Sequence, residues 1–471
     1  METVLIYILG IVVIAVGVLL SIVLHEAGHF VFAKLFKVRV GQFMVGFGKT
    51  LWSRRIGETE FGIKALPLGG YISMSGMYPP VEPGGRARTA STGFFQTLVQ
   101  DAGPAVVDTL DPEPGDQDDR SGFLKTLVSD ARSASADTIL PGHEDRVFYK
   151  LAIWKRIIIM LGGPVMNLLI AIVLFTIILC GIGTGVATTT LAGVDQCIHP
   201  ATSTSQTCAA SDPVAPAAAA GIQPGDKLLS LGGTPVATWD AATAIIQRSA
   251  GKDLTAVVDR DGKKLTLTVT PALTTRPELS ASGAAKTDWN GKQITHRVGF
   301  LGIDSTTVFE TQPFSVVLPE VWANTTGVGA IILDLPRRIV GVANAAFGSG
   351  PRDPNGPIGL IGVGRIAGQI ATTHTATIPE RIAALLSLLA SLNIALFVFN
   401  LVPLMPLDGG HIIGALWEGL KRGVAKLFGR RDPGPVDTAK VIPLTFAVVI
   451  VLGAMSLLLF YADIVKPITI N

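Results

Sequence analysis

The sequence His25-Glu26-Ala27-Gly28-His29 follows directly on residues 4–24, an apolar run of 21 residues without a charge. On a helix, His25 and His29 lie one turn apart on the same face, so that their imidazole nitrogens can bind one metal ion. Glu26 stands beside the first histidine, where a carboxylate can take a proton from a water activated by the metal. The apolar run is long enough to cross a bilayer. This stretch therefore predicts metal-dependent hydrolysis inside or at the edge of a membrane.

The composition agrees with a membrane protein. Hydrophobic residues make up 48% of the chain and charged residues 16%, whereas about a quarter of the residues in soluble domains are charged. The net charge of +2 over 471 residues gives no basic footprint for nucleic acid. The composition thus favours a lipid environment and excludes a nucleic-acid partner.

Four segments are long and apolar enough to be transmembrane helices. The first is interpreted as a retained span, because Met1-Glu2 offers no basic start and no small-residue cleavage site follows, as a signal peptide requires. The predicted spans cover residues 4–24, 157–182, 382–407 and 441–461.

Lysine and arginine cluster in two of the connections, residues 35–156 and 408–440. By the positive-inside rule, both connections are expected in the cytoplasm. Residues 183–380 and both termini are then expected outside.

Asp408 is the candidate third metal ligand, because catalytic zinc sites usually have three protein ligands and a water. It lies in Leu407-Asp408-Gly409, after the third apolar run and at the same predicted depth as the two histidines. A carboxylate facing the membrane interior needs a partner or a metal. His411 is the competing ligand, and a surface turn is the alternative for the Asp-Gly pair. The matching depth favours Asp408.

With both motifs in place, the chain resembles the site-2 proteases, a family of intramembrane zinc metalloproteases. The resemblance is closest to bacterial members with an extracytoplasmic PDZ domain, and the Ala/Gly-rich composition suggests an actinobacterium. It implies a zinc ion held by His25, His29 and Asp408, with Glu26 as the catalytic base. It also implies a location in the bacterial inner membrane, with the active site near the cytoplasmic side. Three further elements contribute to the resemblance: Gly69-Gly70-Tyr71, Gly163-Pro164-Val165-Met166-Asn167 and Gly356-Pro357-Ile358-Gly359.

Two asparagines in the third span are the candidate substrate-binding residues. Asn393 and Asn400 are seven residues apart and hence on nearly the same helical face. In the family, asparagines at this place hold the substrate backbone. Hydrogen bonding between helices is the alternative, and for Asn393 the two interpretations weigh equally.

Residues 37–78 contain glycine-separated, strand-like pieces that resemble the re-entrant β-hairpin of the family. Such an edge can pair with an unwound substrate, and an ordinary cytoplasmic hairpin is the alternative. The Gly163-Pro164 pair is expected to serve close helix packing. Asn167 supports either the zinc site or that packing.

Residues 217–233 are similar to the core of bacterial protease-type PDZ domains, which predicts one α+β PDZ domain near 190–275. It either binds a peptide terminus by strand addition or acts as a size filter, which the resemblance favours. Cys197 and Cys208 are predicted to form a disulfide outside the membrane, the alternative being two unpaired thiols.

The sequence therefore predicts a multi-span α-helical membrane protein with four transmembrane helices, a re-entrant β-hairpin and one extracytoplasmic PDZ domain. In order, the predicted segments are the first transmembrane helix 1–36, the hairpin region 37–78, an acidic and partly disordered cytoplasmic insertion 79–147, the second transmembrane helix 150–184, the PDZ domain 190–275, an extension with amphipathic helices 276–380, the third transmembrane helix 381–411, a basic cytoplasmic loop 412–440 and the fourth transmembrane helix 441–463.

The predicted function is the cutting of single-span membrane proteins, such as pre-trimmed anti-sigma factors or signal-peptide remnants, in regulated intramembrane proteolysis. The expected partners are these substrates, the bilayer and an upstream protease. One alternative is a non-proteolytic, metal-binding PDZ sensor or scaffold, but binding zinc would not require Glu26. A metal transporter would need ligands across the midplane and inverted repeats, and the sequence shows neither.

Overall fold

The computed structural model describes residues 2–78, 88–91, 145–198, 208, 212–278, 294–348, 352–353, 356–373, 376–434, 436 and 442–468. They belong to two compact units. The membrane unit comprises Met1–Gly181 and Pro313–Asn471, and the sheet unit comprises Ile182–Gln312. The predicted acidic insertion, 79–147, lies outside the described residues except for 88–91 and 145–147.

The helices, in chain order, are α1 Glu2–Leu35, α2 Ile153–Thr176, α3 Pro216–Ala219, α4 Trp239–Arg248, α5 Val317–Leu333, α6 Leu335–Phe347, α7 Leu360–Thr372, α8 Ile378–Asn400, α9 Asp408–Leu427 and α10 Ile442–Val465. The strands are β1 Val40–Ile56, β2 Thr59–Tyr78, β3 Arg88–Ser91, β4 Thr184–Val194, β5 Lys227–Leu231, β6 Thr234–Pro235, β7 Leu254–Arg260, β8 Lys263–Val269, β9 Ala272–Pro277, β10 Thr295–Phe300 and β11 Ile303–Glu310.

Five described helices are long and apolar enough to cross a membrane, whereas the sequence predicted four. The additional one is Phe314–Leu333, which was assigned to the amphipathic extension. Its mean hydropathy of 1.4 is the lowest of the five, because Glu320 and Asn324 interrupt its apolar residues. Within the predicted amphipathic extension, helices α5 and α6 meet at Asp334.

Helices α1 and α2 cross in opposite directions where both carry glycine. A Cβ added to Gly28 would lie 2.2 Å from the carbonyl oxygen of Gly162, so only glycine permits this approach. Helix α8 runs parallel to α1, because Gly17 faces Leu389 and Ser21 accepts a hydrogen bond from Asn393. The start of α8 therefore lies at the same end of the bundle as the start of α1.

The Gly356–Gly359 motif leads into α7, whose first turn is held by a carboxylate from α10. Asp463 is buried and accepts hydrogen bonds from the backbone N–H groups of Gly359 and Gly362, at 2.9 and 2.8 Å. Arg352 donates to the same carboxylate at 2.8 Å. An anionic group at a helix N-terminus satisfies its unpaired N–H groups, so Asp463 ties the start of α7 to the end of α10.

Strands β1 and β2 form an antiparallel hairpin with Ile56 opposite Thr59 and Val45 opposite Gly70. Gly57 at the turn has a φ of +61°, which glycine adopts without strain. Beside the turn, Glu58 accepts hydrogen bonds from Lys34 and Arg146, and those to Arg146 lower the pKa of Glu58 to about 2. These contacts attach the hairpin to the end of α1.

The sheet unit is built on strands in the order β11-β4-β5-β7-β8, with β6 beside β5. Its core contains Leu191, Leu228 and Val258. The unit is wider than the range predicted for the PDZ domain, 190–275, because β4 pairs with β11 more than 100 residues later along the chain. Cys197 and Cys208 form the predicted disulfide.

The segment predicted as a basic loop, 412–440, is helical as far as Leu427, the end of α9. Its lysines and arginines suggested a solvated connection. The apolar residues between them recur at helical spacing, which is the pattern that prevails in the structure.

Candidate metal centre

His25, His29 and Asp408 come together although Asp408 is distant in sequence. Their donor atoms all lie within 4.8 Å of one another, the one group of this kind among the described residues. Each histidine Nε2 is 3.4 Å from Asp408 Oδ2, and the two Nε2 atoms are 3.2 Å apart. Two imidazoles and one carboxylate form a donor set that binds catalytic zinc and leaves a position for water.

The other ring nitrogen of each histidine is held by α2. His29 Nδ1 donates to the carbonyl oxygen of Ile159 at 2.7 Å, which leaves the Nε2 lone pair available to a metal. His25 Nδ1 lies 3.1 Å from the amide group of Asn167. The buried Oδ1 of Asn167 has no hydrogen-bond partner among the described residues. Turning that amide over would let Oδ1 accept from His25 Nδ1, the arrangement that also frees Nε2 of His25.

Gly163 lies beside the donor atoms, and because it has no side chain it leaves the space between the two imidazole rings free. A Cβ at this position would lie 2.2 Å from His29 Nε2 and 2.6 Å from His25 Nε2. The two rings cannot move aside without losing their contacts to Ile159 and Asn167. Gly163 is therefore required by the site itself, whereas the sequence had assigned the Gly163-Pro164 pair to helix packing, the part that Gly162 plays.

Asp408 is the first residue of α9 and is presented by the two glycines that follow it. A Cβ on Gly409 would lie 2.3 Å from the carbonyl oxygen of Val402, and one on Gly410 would lie 2.7 Å from the backbone nitrogen of Met405. The start of α9 can thus pack directly on the preceding loop. Asp408 Oδ2 is buried without a hydrogen-bond partner among the described residues. An orphaned, buried carboxylate oxygen facing two imidazoles fits a metal cation.

Glu26 is buried beside this cluster and next to strand β2. A Cβ on Gly70 would lie 3.1 Å from Glu26 Cγ and 3.3 Å from the carbonyl oxygen of Met44. The glycine at position 70 thus allows the strand to pass close to the carboxylate. The hairpin predicted from sequence therefore borders the metal centre.

A buried ion pair holds α9 against α2 on the side of the metal centre. Arg156 donates to both carboxylate oxygens of Glu418, at 3.1 and 2.6 Å, and both side chains are almost inaccessible to solvent. Arg422 also pairs with Glu418, at 3.0 Å. The pair fixes the helix that begins with Asp408 relative to the helix that carries Gly163 and Asn167. No local sequence pattern indicates the ion pair between Arg156 and Glu418, because the two residues are 262 positions apart.

The remaining sequence candidates lie around the cluster. Asn393 is fully buried and donates to Ser21 Oγ at 3.0 Å and to the carbonyl oxygen of Leu389 at 2.9 Å, so it bridges α1 and α8. Asn400 is the last residue of α8 and is partly buried. The substrate-binding roles of both stay predictions. His411 is not in the group of clustered donor atoms.

The known proteins that this chain resembles in sequence are metalloproteases. Residues 13–430 match the model of Peptidase family M50. The chain is 32% identical over 471 residues to the zinc metalloprotease Rip1 of Mycobacterium tuberculosis, with 98% of both chains covered. Rip1 of Mycolicibacterium smegmatis is 29% identical, again over 98% of both chains. The metalloprotease MmpA of Caulobacter vibrioides is 26% identical over 88% of both chains.

Proposed function

This chain belongs to Peptidase family M50, the site-2 proteases, and from that premise we propose that it cuts single-span membrane proteins in regulated intramembrane proteolysis. It is a zinc metalloprotease with several membrane-spanning helices.

The observation that carries the proposal is the clustering of His25, His29 and Asp408 around Gly163, with Glu26 buried beside them. The helices that hold the cluster expose apolar side chains, as lipid-facing helices do. Peptide bonds within reach of this site are therefore those of chains that enter the bilayer. A non-proteolytic sensor would use the three ligands but would have no need for Glu26.

In this proposal His25, His29 and Asp408 hold the zinc ion. When bound there, zinc polarises the scissile carbonyl and makes a water molecule more acidic. Glu26 accepts the proton of that water and delivers it to the leaving amide nitrogen. Asn167 and the carbonyl of Ile159 keep the imidazole rings in orientation. Asn400 and Asn393 stay candidates for holding the substrate backbone.

The hairpin can present the substrate to these groups. A membrane-spanning helix hides its peptide bonds in internal hydrogen bonds, so the segment to be cut must first become extended. Strand β2 passes Glu26 at Gly70, and pairing with the hairpin would replace the hydrogen bonds that the substrate loses. Helix-breaking residues in a substrate are therefore expected to increase its cleavage.

The helix directions support four net crossings in spite of the five candidate helices. Helix α2 ends, and α8 starts, at the end of the bundle where α1 starts, so the chain between them crosses the bilayer an even number of times. If Phe314–Leu333 crosses the bilayer, a second crossing between α2 and α8 must therefore return the chain. The basic residues flanking α1 and α2 favour a cytoplasmic position for the metal-centre end, and the disulfide Cys197–Cys208 fits an oxidising exterior for the sheet unit.

The sheet unit is proposed to be the PDZ domain that the sequence suggested. We assign it the role of a size filter, which admits membrane proteins whose outer part has been removed by an upstream protease. Pre-trimmed anti-sigma factors and signal-peptide remnants both satisfy that requirement. Loss of the filter would then allow untrimmed substrates to be cut.

The test uses purified full-length protein in detergent and a single-span substrate in trimmed and untrimmed forms. Wild type is expected to bind zinc and to cut the trimmed form faster, and Glu26→Gln to keep zinc but lose cleavage. A Glu320→Gln variant, altered on α5, serves as the matched control and should cut normally. Equal cleavage by wild type and Glu26→Gln would contradict the role of Glu26. Zinc bound without cleavage of any substrate would favour the sensor.

A further inference from the structure

Helix α9 has an inverted distribution of side chains. Its acidic residues Asp408 and Glu418 are buried, whereas large apolar residues on the opposite face are exposed, Trp417 by 52% and Leu420 by 56%. These residues recur at intervals of three and four and hence share one face. The outer stripe is the set Ile413, Leu416, Trp417, Leu420, Val424 and Leu427. Such a face is suited to an apolar partner rather than to water.

The short link to α8 and the charges of α9 favour a position of this stripe at the surface of the bilayer. Only seven residues separate Asn400, the end of α8, from Asp408. Helix α9 has 20 residues but is not among the candidate spans, because five of its residues are charged. A helix with a strong apolar face and this many charges lies along a membrane interface rather than across it.

The charges around the outer stripe are mostly positive. Residues 412–434 contain five lysines and arginines and two acidic residues, and Arg422 pairs with both acidic ones, Glu418 and Asp432. Lys426, Arg430 and Arg431 are exposed and form no ion pair with any described residue. The ammonium group of Lys421 lies 5.5 Å from the ring centre of Trp417. Cations beside an aromatic, apolar face complement anionic lipid headgroups.

A cavity next to the stripe is suited to an acyl chain. It has a volume of about 390 Å³ and is lined almost entirely by apolar side chains, among them Leu404, Ile413, Trp417 and Leu444. The cavity joins the stripe of α9 to the start of α10. An acyl chain lying there would contact both helices.

We propose that α9 is an anchor for anionic phospholipids of the leaflet nearest the metal centre. The outer stripe and the cavity lie in the acyl region, and Lys421, Lys426 and Arg430 bind the headgroups. The anchor sets the depth of α9 and thereby the depth of Asp408 at its first residue. This inference concerns the lipid partner and does not depend on which substrate is cut.

The experiment measures the depth of the stripe in the full-length protein, without any cleavage assay. A Cys180→Ser background leaves only the disulfide cysteines among the chain's three cysteines, so Leu420→Cys accepts a single environment-sensitive fluorophore. The labelled protein is reconstituted in vesicles of phosphatidylcholine, with or without phosphatidylglycerol. Iodide in the water and brominated acyl chains in the lipid serve as the two quenchers. Leu427→Cys provides a second site, and Lys264→Cys on β8 is the exposed polar control.

The label at position 420 is expected to be quenched by brominated lipid and shielded from iodide, and the control label to behave in the opposite way. Phosphatidylglycerol should increase the ratio of lipid-embedded to water-exposed stripe by about five-fold for each basic side chain that binds a headgroup. Neutralising Lys421, Lys426 and Arg430 with glutamine should remove that effect. The matched variant with Lys252, Lys263 and Lys264 changed to glutamine should retain it.

Three results would overturn the proposal. Iodide could quench position 420 as strongly as position 264 in vesicles with phosphatidylglycerol, which would put the stripe in water. The label could be shielded from both quenchers increasingly with protein concentration, which would make a second copy the occupant. Finally, quenching by brominated lipid could be identical with and without phosphatidylglycerol, which would exclude anionic lipid as the partner.

Discussion

The membrane unit and the sheet unit differ in the apolar residues they expose and in the number of charged side chains they bury. The membrane unit exposes apolar residues such as Leu5 and Leu457, by 67% and 72%, and buries charged ones such as Glu26, Arg156 and Asp408. The sheet unit buries an apolar core, and Asp226 is the one buried charged side chain among its described residues. The first unit is organised for lipid, in which polar groups must find partners inside, and the second is organised for water. The catalytic chemistry is therefore expected to depend on glycines and buried polar contacts, and the sheet unit on its apolar core.

The largest effect is expected from adding one methyl group at the metal centre. Gly163→Ala would place a carbon 2.2 Å from His29 Nε2, and a displacement of catalytic groups by about 1 Å can cost about 100-fold in rate. Cleavage should fall by at least that factor, with loss of zinc measured by metal analysis. Gly181→Ala is the control, because a Cβ there meets nothing within 4 Å. Full zinc content and normal cleavage in Gly163→Ala would refute the claim that the metal site requires glycine at position 163.

The second prediction breaks the buried ion pair of the membrane unit. Glu418→Gln leaves Arg156 buried without its charged partner, which typically costs about 3–5 kcal/mol. Thermal unfolding in detergent should report a correspondingly lower stability, and zinc should be lost more readily. The double variant Arg156→Met/Glu418→Leu should recover much of the stability, because apolar replacements of a buried pair are often neutral. A single variant as stable as wild type would show that the pair does not hold α9.

The third prediction concerns the orientation of His25. Asn167→Ala removes the contact to His25 Nδ1, and loss of such a supporting contact usually weakens metal affinity by about 10- to 100-fold. Competition with a chelator measures the change. Asn167→Asp should retain most of the affinity, because its carboxylate accepts the same hydrogen bond. Asn324→Ala, where the amide bonds only Glu320 within α5, should have no effect, and an equal loss in that control would remove the specific role of Asn167.

The smallest effect is expected in the sheet unit. Arg260 donates to both carboxylate oxygens of Asp226, at 2.7 and 2.8 Å, and these hydrogen bonds lower the pKa of Asp226. Asp226→Asn should cost about 2 kcal/mol at neutral pH. Because the pKa is lowered on folding, the stabilisation is complete above the ordinary aspartate pKa of about 3.9 and is lost as the pH falls below it.

Pulse proteolysis of the full-length protein in urea, at neutral and acid pH, measures this difference. The stability gap between wild type and Asp226→Asn should shrink as the pH falls below about 4. A gap that is independent of pH would indicate that the carboxylate charge contributes nothing to the sheet unit.

The candidate residues of the metal site could be identified from the sequence alone. His25, Glu26 and His29 are recognisable because their spacing is local, and Asp408 because it follows an apolar run at the matching depth. The structure places these groups in one cluster, and the membership in a zinc metalloprotease family agrees with the chemistry inferred from them.

The sequence was insufficient wherever a distant contact decides the structure. The pairing of β4 with β11 extends the sheet unit beyond 190–275, and no local pattern announces it. Gly163 reads as a packing residue until its distance to the histidines is known. Most of helix α9 was predicted to be a loop because its lysines and arginines are typical of a solvated connection. Its apolar residues share one face only when the segment is helical.

Zinc-edge X-ray absorption on the purified full-length protein tests the central claim most directly, since it reports the atoms around the metal. The account predicts two imidazole nitrogens at about 2.0 Å together with oxygen ligands, and no sulfur at about 2.3 Å. Asp408→Ala should change the oxygen part of that environment and leave the two imidazoles. A spectrum with sulfur, with fewer than two imidazoles, or unchanged in Asp408→Ala would contradict a zinc site made by His25, His29 and Asp408.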